Sequence, residues 1–276
     1  MPTISTNTAA NSAVRYLNIN SQQETSALSK LSSGSRITSA SDDAAGLAIS
    51  TRISSDITTL QQAATNASQA TSILQTADGG ASNISDILAR MKSLASESAS
   101  GTVTTSSRAY INSEFTQLTS EIDSIATGTR YSGTALLDGV SSYSTGSGVS
   151  VLVGSSSTDT IMIALTSLTS TALGVNALDV STQTGANAAL DTLDSAIDKV
   201  SAARADIGAQ ESRFNFSADS ISTQTQNLQS ANSAIKDVDI ASEQATLSSA
   251  EVKTQAAVSA ETAANQMPQY LLKLLG

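Results

Sequence analysis

Apolar positions recur at helical spacing over long stretches of this chain. Ile53, Ile57, Leu60, Ala64, Ala67, Thr71 and Leu74 follow one another at alternating four- and three-residue steps. That spacing makes a seam along one helix face, suited to packing against a second helix. Ser41 stands where a cap belongs, and Asp42 and Asp43 fall in the expected first turn, where the helix dipole favours negative charge. Gly79-Gly80 predicts a shift of phase, because Ile84, Leu88, Met91 and Leu94 form a new stripe. Gly101 is the expected stop. A second helix reads through Ile111, Phe115, Leu118, Ile122 and Ile125 and ends at Gly128. The longest pattern places Leu190, Leu193, Ile197, Val200, Ile207, Phe214, Ala218, Ile221, Leu228 and Ile235 on one register. Arg204, Glu211, Thr225 and Asn232 share that register, where they either pair locally or face a groove. Fifty helical residues span roughly 75 Å at about 1.5 Å per residue. The expected fold is therefore mainly α, a long antiparallel helical coiled-coil rod.

The period changes in the middle. Val149, Val151 and Val153 alternate, as do Ile161, Ile163 and Leu165, and the turn-rich GSSSTD lies between them. This predicts a small β-hairpin subdomain within residues 140–181. The two ends are sparser in apolar residues, and each is too short to bury a core alone. Isolated helices of that kind are marginal. Residues 1–42 and 236–276 are accordingly expected to order on assembly, the lost entropy being offset by new interface. Residues 43–139 and 182–235 supply the helical rod.

Composition agrees with close helix packing. Aromatic residues make up only 3% of the chain, so Ala, Ser and Thr dominate the seams. Cys and His are both absent, which excludes disulfides, thiolate catalysis, most zinc sites and every His-based catalytic arrangement. No phosphate-binding glycine loop is present, and no enzyme activity or cofactor is expected. The net charge of −10, with no Lys/Arg cluster, argues against nucleic acid. No apolar run of about 20 residues predicts a membrane span. Polar helix faces rich in Ser, Thr, Asn and Gln rather than Lys and Arg argue against a lipid-binding amphipathic helix. The start of the chain lacks the charged and apolar pattern of a cleaved signal. The protein is expected either in the cytosol or exported by a route that reads no such signal.

Several blocks carry a specific resemblance. They are ISTN at 4–7, KLSSGSRITSASDDAAGLAI at 30–49, LARMKSLASESAS at 88–100 and EFTQLTSEID at 114–123. They continue with TRYSGTALLDG at 129–139, ARADIGAQESRFNFSADSI at 203–221 and NQMPQYLLKLL at 265–275. In this order they resemble bacterial flagellin, in a short form lacking outer variable domains. Gly276 stands where the family commonly has arginine.

The resemblance implies a structural subunit that polymerises into the flagellar filament, outside the cell, for swimming motility. A hook–filament junction protein is the alternative, since it shares similar ends. The resemblance also implies export through the flagellar type III apparatus, with an export chaperone, cap and hook-junction proteins as partners beside the chain itself. Inner-tube assembly would fall to Leu17, Leu28, Leu31, Met267, Tyr270, Leu271, Leu274 and Leu275. Arg36, Asp42, Asp43 and Arg52 are candidates for polar contacts at helix starts or between subunits. Helix-start acids are the commoner reading of Asp42-Asp43, against metal ligands. Arg90, Leu94 and Glu114 match the positions that the flagellin-sensing Toll-like receptor reads. Arg90 and Leu94 lie four apart, so they share a helix face that is expected to present an aliphatic surface beside a cation. Self-packing in a filament is the plainer role for the same three residues. The Ser/Thr-rich stretches at 102–107, 141–147 and 155–160 are either polar loops or O-glycan acceptors.

Overall fold

The computed structural model describes residues 6–144, 146 and 148–275, without the side chains of 268 and 271–275. It divides into two compact units. One joins the residues up to 55 with those from 227 onward, and the other is residues 56–226. The helices are α1 (Thr8–Ser33), α2 (Ala44–Ala99), α3 (Thr105–Gly128), α4 (Ser170–Leu173), α5 (Gln183–Lys236) and α6 (Ile240–Leu275). The strands are β1 (Arg130–Tyr131), β2 (Thr134–Ala135), β3 (Val149–Leu152) and β4 (Thr160–Ile163).

In the terminal unit α1 packs against α6. Alanine dominates the seam: Ala10, Ala13 and Ala27 are buried on α1, and Leu247, Ala250, Ala257 and Ala264 on α6. Gly34 ends α1 in the left-handed region (φ +67°), the conformation glycine adopts without a Cβ penalty. The chain then pairs with the turn between α5 and α6. Arg36 N–H donates to the Lys236 carbonyl at 2.6 Å, and Val238 N–H to the Gly34 carbonyl at 3.1 Å. The buried Ser35 hydroxyl donates to the Ile37 carbonyl at 2.9 Å.

The start of α2 differs from the expectation. Asp42 and Asp43 precede the helix rather than occupying its first turn. Asp43 Oδ1 accepts the Gly46 N–H at 2.8 Å, so Asp43 is the cap and Ser41 is not. Capping needs an acceptor that reaches the free N–H groups of the first turn, and Asp43 lies three residues before Gly46.

In the central unit two columns of α2 are buried at seven-residue intervals. One is Leu60, Ala67, Leu74, Ala81, Leu88 and Ala95, and the other is Ala63, Ala70, Ala77, Ile84, Met91 and Ser98. Both pass through Gly79-Gly80 unbroken, so the expected phase shift does not occur. The second column is alanine from Ala63 to Ala77, and the expected companions Ile57, Ala64 and Thr71 sit half-buried beside it. Gly80 serves close approach instead. A Cβ there would stand 2.4 Å from the Thr129 hydroxyl and 3.0 Å from Leu137.

The partners of α2 run antiparallel to it. On α5, Gln183 Nε2 donates to the Ala99 carbonyl, Lys92 pairs with Asp194, and Arg204 pairs with Asp78. On α3, Arg90 pairs with Glu114, and Arg108 donates to the carbonyls of Ser98 and Ser100. Leu193, Val200, Ile207 and Phe214 of α5 join Phe115 and Ile122 of α3 in one core.

The predicted hairpin is β3–β4, antiparallel, with Val149 opposite Ile163 and Val151 opposite Ile161. Its β4 face and the segment after it (Ile161, Ile163, Leu165, Leu168, Leu173) belong to that same helical core. A second hairpin, β1–β2, turns through Ser132 (φ +50°) and Gly133 (φ +85°). Positive φ at both central residues matches the twist of a tight hairpin.

Candidate assembly and recognition surfaces

The sites form surfaces on helices rather than a pocket. Arg90 of α2 and Glu114 of α3 face each other across the helix pair. Arg90 Nε and Nη2 both donate to Glu114 Oε1, at 3.0 and 2.6 Å. Both side chains are about half-exposed. Leu94 does not join them at the surface. It is 2% exposed and belongs to the core, so the expected aliphatic patch beside Arg90 is corrected to a buried anchor. The reason is geometric: the antiparallel contact with α3 and α5 claims the helix face that holds Met91, Leu94 and Ser98, and leaves Arg90 outside.

The terminal unit presents the opposite picture. Leu17 and Leu31 are half-buried, but Leu28 is 58% exposed, Met267 61% and Tyr270 65%. Ala27, the neighbour of Leu28, occupies the seam instead. The side chains of Leu271, Leu274 and Leu275 lie outside the described residues.

Of the polar candidates, Arg36 donates from Nη2 to the Ile235 carbonyl at 2.8 Å. A cation at the last turn of α5 is favoured by the helix dipole. Asp42 Oδ2 accepts from Thr38 N–H at 3.0 Å, Thr38 Oγ1 at 2.9 Å and Ser39 N–H at 2.9 Å. These bonds, with that from Ser39 N–H foremost, hold its carboxyl below the usual carboxylate value. Arg52 is exposed and forms no ion pair among the described residues.

The polar residues in the α5 register divide in two. Arg204 pairs locally with Asp78. Glu211 is half-buried, with Oε1 sealed from solvent and without a hydrogen-bond partner among the described residues. Desolvation first, and the negative charge of Asp78 second, push its carboxyl up. Sequence reasoning gave Asn7 no role beyond its place at the end of the ISTN block, yet its side chain donates to the Ala264 carbonyl near the other end of the chain.

Among the described residues no His/Cys/Asp/Glu cluster could hold a metal, and no helix is long and apolar enough to cross a membrane.

Comparison with known proteins fits this architecture. The family model of the bacterial flagellin N-terminal helical region matches residues 4–142, and that of the C-terminal helical region matches residues 190–275. A flagellin of Halalkalibacterium halodurans is 36% identical over 99% of both chains. The flagellar filament 30.7 kDa core protein of Treponema maltophilum is 34% identical, over 95% of this chain and 96% of its own. The crystal structure of Bacillus cereus flagellin superposes with a TM-score of 0.52 at 29% identity, covering 61% of this chain and 94% of that one. These relationships favour the filament over the junction alternative. The chain belongs to the bacterial flagellin family.

Proposed function

We propose that residues 1–42 and 236–276 form the inner layer of a helical tube, and that residues 43–139 and 182–235 form the shell around it. Residues 140–181 add no separate outer domain in this reading. The chain itself is a structural subunit that polymerises into the bacterial flagellar filament. Its work is mechanical, through stiffness and helical shape.

One observation carries the inner-layer reading. The terminal unit buries mostly alanine, while Leu28, Met267 and Tyr270 stand exposed. Alanine supplies little burial energy, and at about 25 cal/mol per Å² the larger side chains hold most of the stabilisation still to be gained. Neighbouring copies are the surfaces that gain it. Met267 and Tyr270 would meet adjacent subunits on one helix, and Leu28 on the other.

The same reading covers the remaining partners. The subunit leaves the cell through the type III apparatus after release from an export chaperone, and meets cap and hook-junction proteins at the filament ends. Arg90 and Glu114 serve subunit packing first, and offer a charged pair to the flagellin-sensing Toll-like receptor second. The buried Leu94 supports the helix beneath them.

Adding ammonium sulfate and short filament seeds to purified subunit, followed by negative-stain electron microscopy, tests the proposal. The excluded salt strengthens apolar burial and screens the net charge of −10. Long uniform filaments are expected. Persistent monomer, or short caps on seeds, would return the junction alternative. Leu28→Ser and Tyr270→Ser should slow elongation without altering the circular dichroism of the monomer. Unchanged elongation in both would refute the contact assignment.

A further inference from the structure

Helix α6 runs from Ile240 to Leu275, so Pro268 lies inside it. Proline has no backbone N–H, and the carbonyl four residues earlier loses its helical donor. That carbonyl belongs to Ala264, which is buried in the α1–α6 seam. A buried carbonyl without a donor is costly. Here the donor comes from the other end of the chain. Asn7 Nδ2 donates to the Ala264 carbonyl at 2.8 Å, across 257 residues of sequence. The other side-chain atom of Asn7 is also engaged: Oδ1 accepts the Ala10 N–H at 3.1 Å and caps α1.

The turn end of the seam is pinned by the backbone bonds from Arg36 N–H to Lys236 and from Val238 N–H to Gly34, and Asn7 stands at the opposite end. Between these ends the seam is built largely of small side chains, Ala250, Ala257 and Ala264 on α6 and Ala10, Ala13 and Ala27 on α1, so little apolar area holds the far end closed. The polar side-chain contacts along the seam are long ones: Thr254 Oγ1 to Glu24 Oε2 at 3.5 Å, and Lys30 to Glu243 at 4.0 Å.

We infer that Asn7 and Pro268 form a clasp at the end of the α1–α6 pair farthest from the turn: the proline leaves the Ala264 carbonyl without its helical donor, and the N-terminal asparagine satisfies it while capping α1. The turn sets the register of the two helices, and the clasp holds the opposite end closed. Its consequence is that α6 stays on α1 out to the exposed Met267 and Tyr270.

The test uses full-length subunit and seeded elongation at neutral pH. Asn7→Asp keeps the capping acceptor and removes the donor. It should raise the critical subunit concentration about ten-fold, the size of one unmade buried hydrogen bond. Pro268→Ala restores a helical N–H to the Ala264 carbonyl, and combined with Asn7→Asp it should bring the critical concentration back to that of Pro268→Ala alone. Wild-type behaviour of Asn7→Asp, or additive effects in the double variant, overturns the inference. Should Pro268→Ala fail to elongate, solid-state NMR decides. The carbonyl carbon shift of Ala264 in filaments moves with Asn7→Asp if the bond exists, and an unmoved shift overturns the clasp.

Discussion

Arg204 on α5 grips Asp78 on α2 with two hydrogen bonds, Nε to Oδ1 at 2.8 Å and Nη2 to Oδ2 at 3.2 Å. One heptad along the same face lies Glu211, which has no such partner. The guanidinium is committed to Asp78, whose charge acts on Glu211 as well, and the pair is partly exposed. Its net contribution is small, about 0–1 kcal/mol for surface pairs of this kind. The charge of Asp78 adds to the rise of the Glu211 carboxyl, second to desolvation.

Glu211 should make stability fall as pH rises. Its folded-state pKa lies above the ordinary value of 4.5. Between those two values the folded chain binds more protons than the unfolded chain, so the slope of stability with pH is negative. The favourable contribution is complete below the ordinary value and lost as pH climbs through the raised one. Glu211→Gln should flatten this part of the profile and raise stability at neutral pH. Urea unfolding between about pH 4 and 7 checks it. A Gln variant with the same slope as wild type would assign the dependence elsewhere.

Gly79 and Gly80 should answer oppositely to alanine. A Cβ at Gly79 meets nothing within 4 Å, and the residue is exposed in mid-helix. Gly79→Ala should stabilise the monomer by about 0.5–1 kcal/mol through helix propensity. Gly80→Ala drives a methyl group into Thr129 and should destabilise by about 1–3 kcal/mol. Thermal unfolding of both variants checks the pair, and a shared sign would contradict the packing described.

Leu94→Ala should behave as a core mutation, costing about 2–5 kcal/mol of monomer stability. Arg90→Ala and Glu114→Ala should each cost about 1 kcal/mol or less, because both partners are half-exposed. If the receptor uses this face, the two charge variants weaken binding of the monomer to the receptor ectodomain without unfolding it. Surface plasmon resonance beside denaturation separates the effects. Lost binding in Leu94→Ala at unchanged stability would place that side chain at the surface after all.

Protease should remove roughly residues 1–40 and 236–276 from the monomer and spare them in the filament. The α1–α6 seam is largely alanine, so opening it exposes little apolar area and costs little. Mass spectrometry of the limit digest reads the outcome. Equal trimming in monomer and polymer would refute ordering on assembly.

What the sequence alone determined follows from periodicity. The long helices, their stops and the β3–β4 hairpin are local patterns, and a step of three or four residues reads the same before and after folding. The ordered family blocks likewise marked the chain as a filament protein. Other features depended on which face met which partner. Ala63, Ala70 and Ala77 of α2 outcompeted Ile57 and Thr71 for the seam, because small side chains allow closer helix approach in a bundle poor in aromatics. Gly79-Gly80 looked like a break, yet only the placement of Thr129 shows that Gly80 makes room and Gly79 does not. Leu94 and Arg90 share a face in sequence, and the third helix decided that one is core and the other surface. The bond from Asn7 to Ala264 spans nearly the whole chain. Pattern over a few turns cannot reveal it, since the need arises from a missing donor at Pro268 and is met only when the two ends come together.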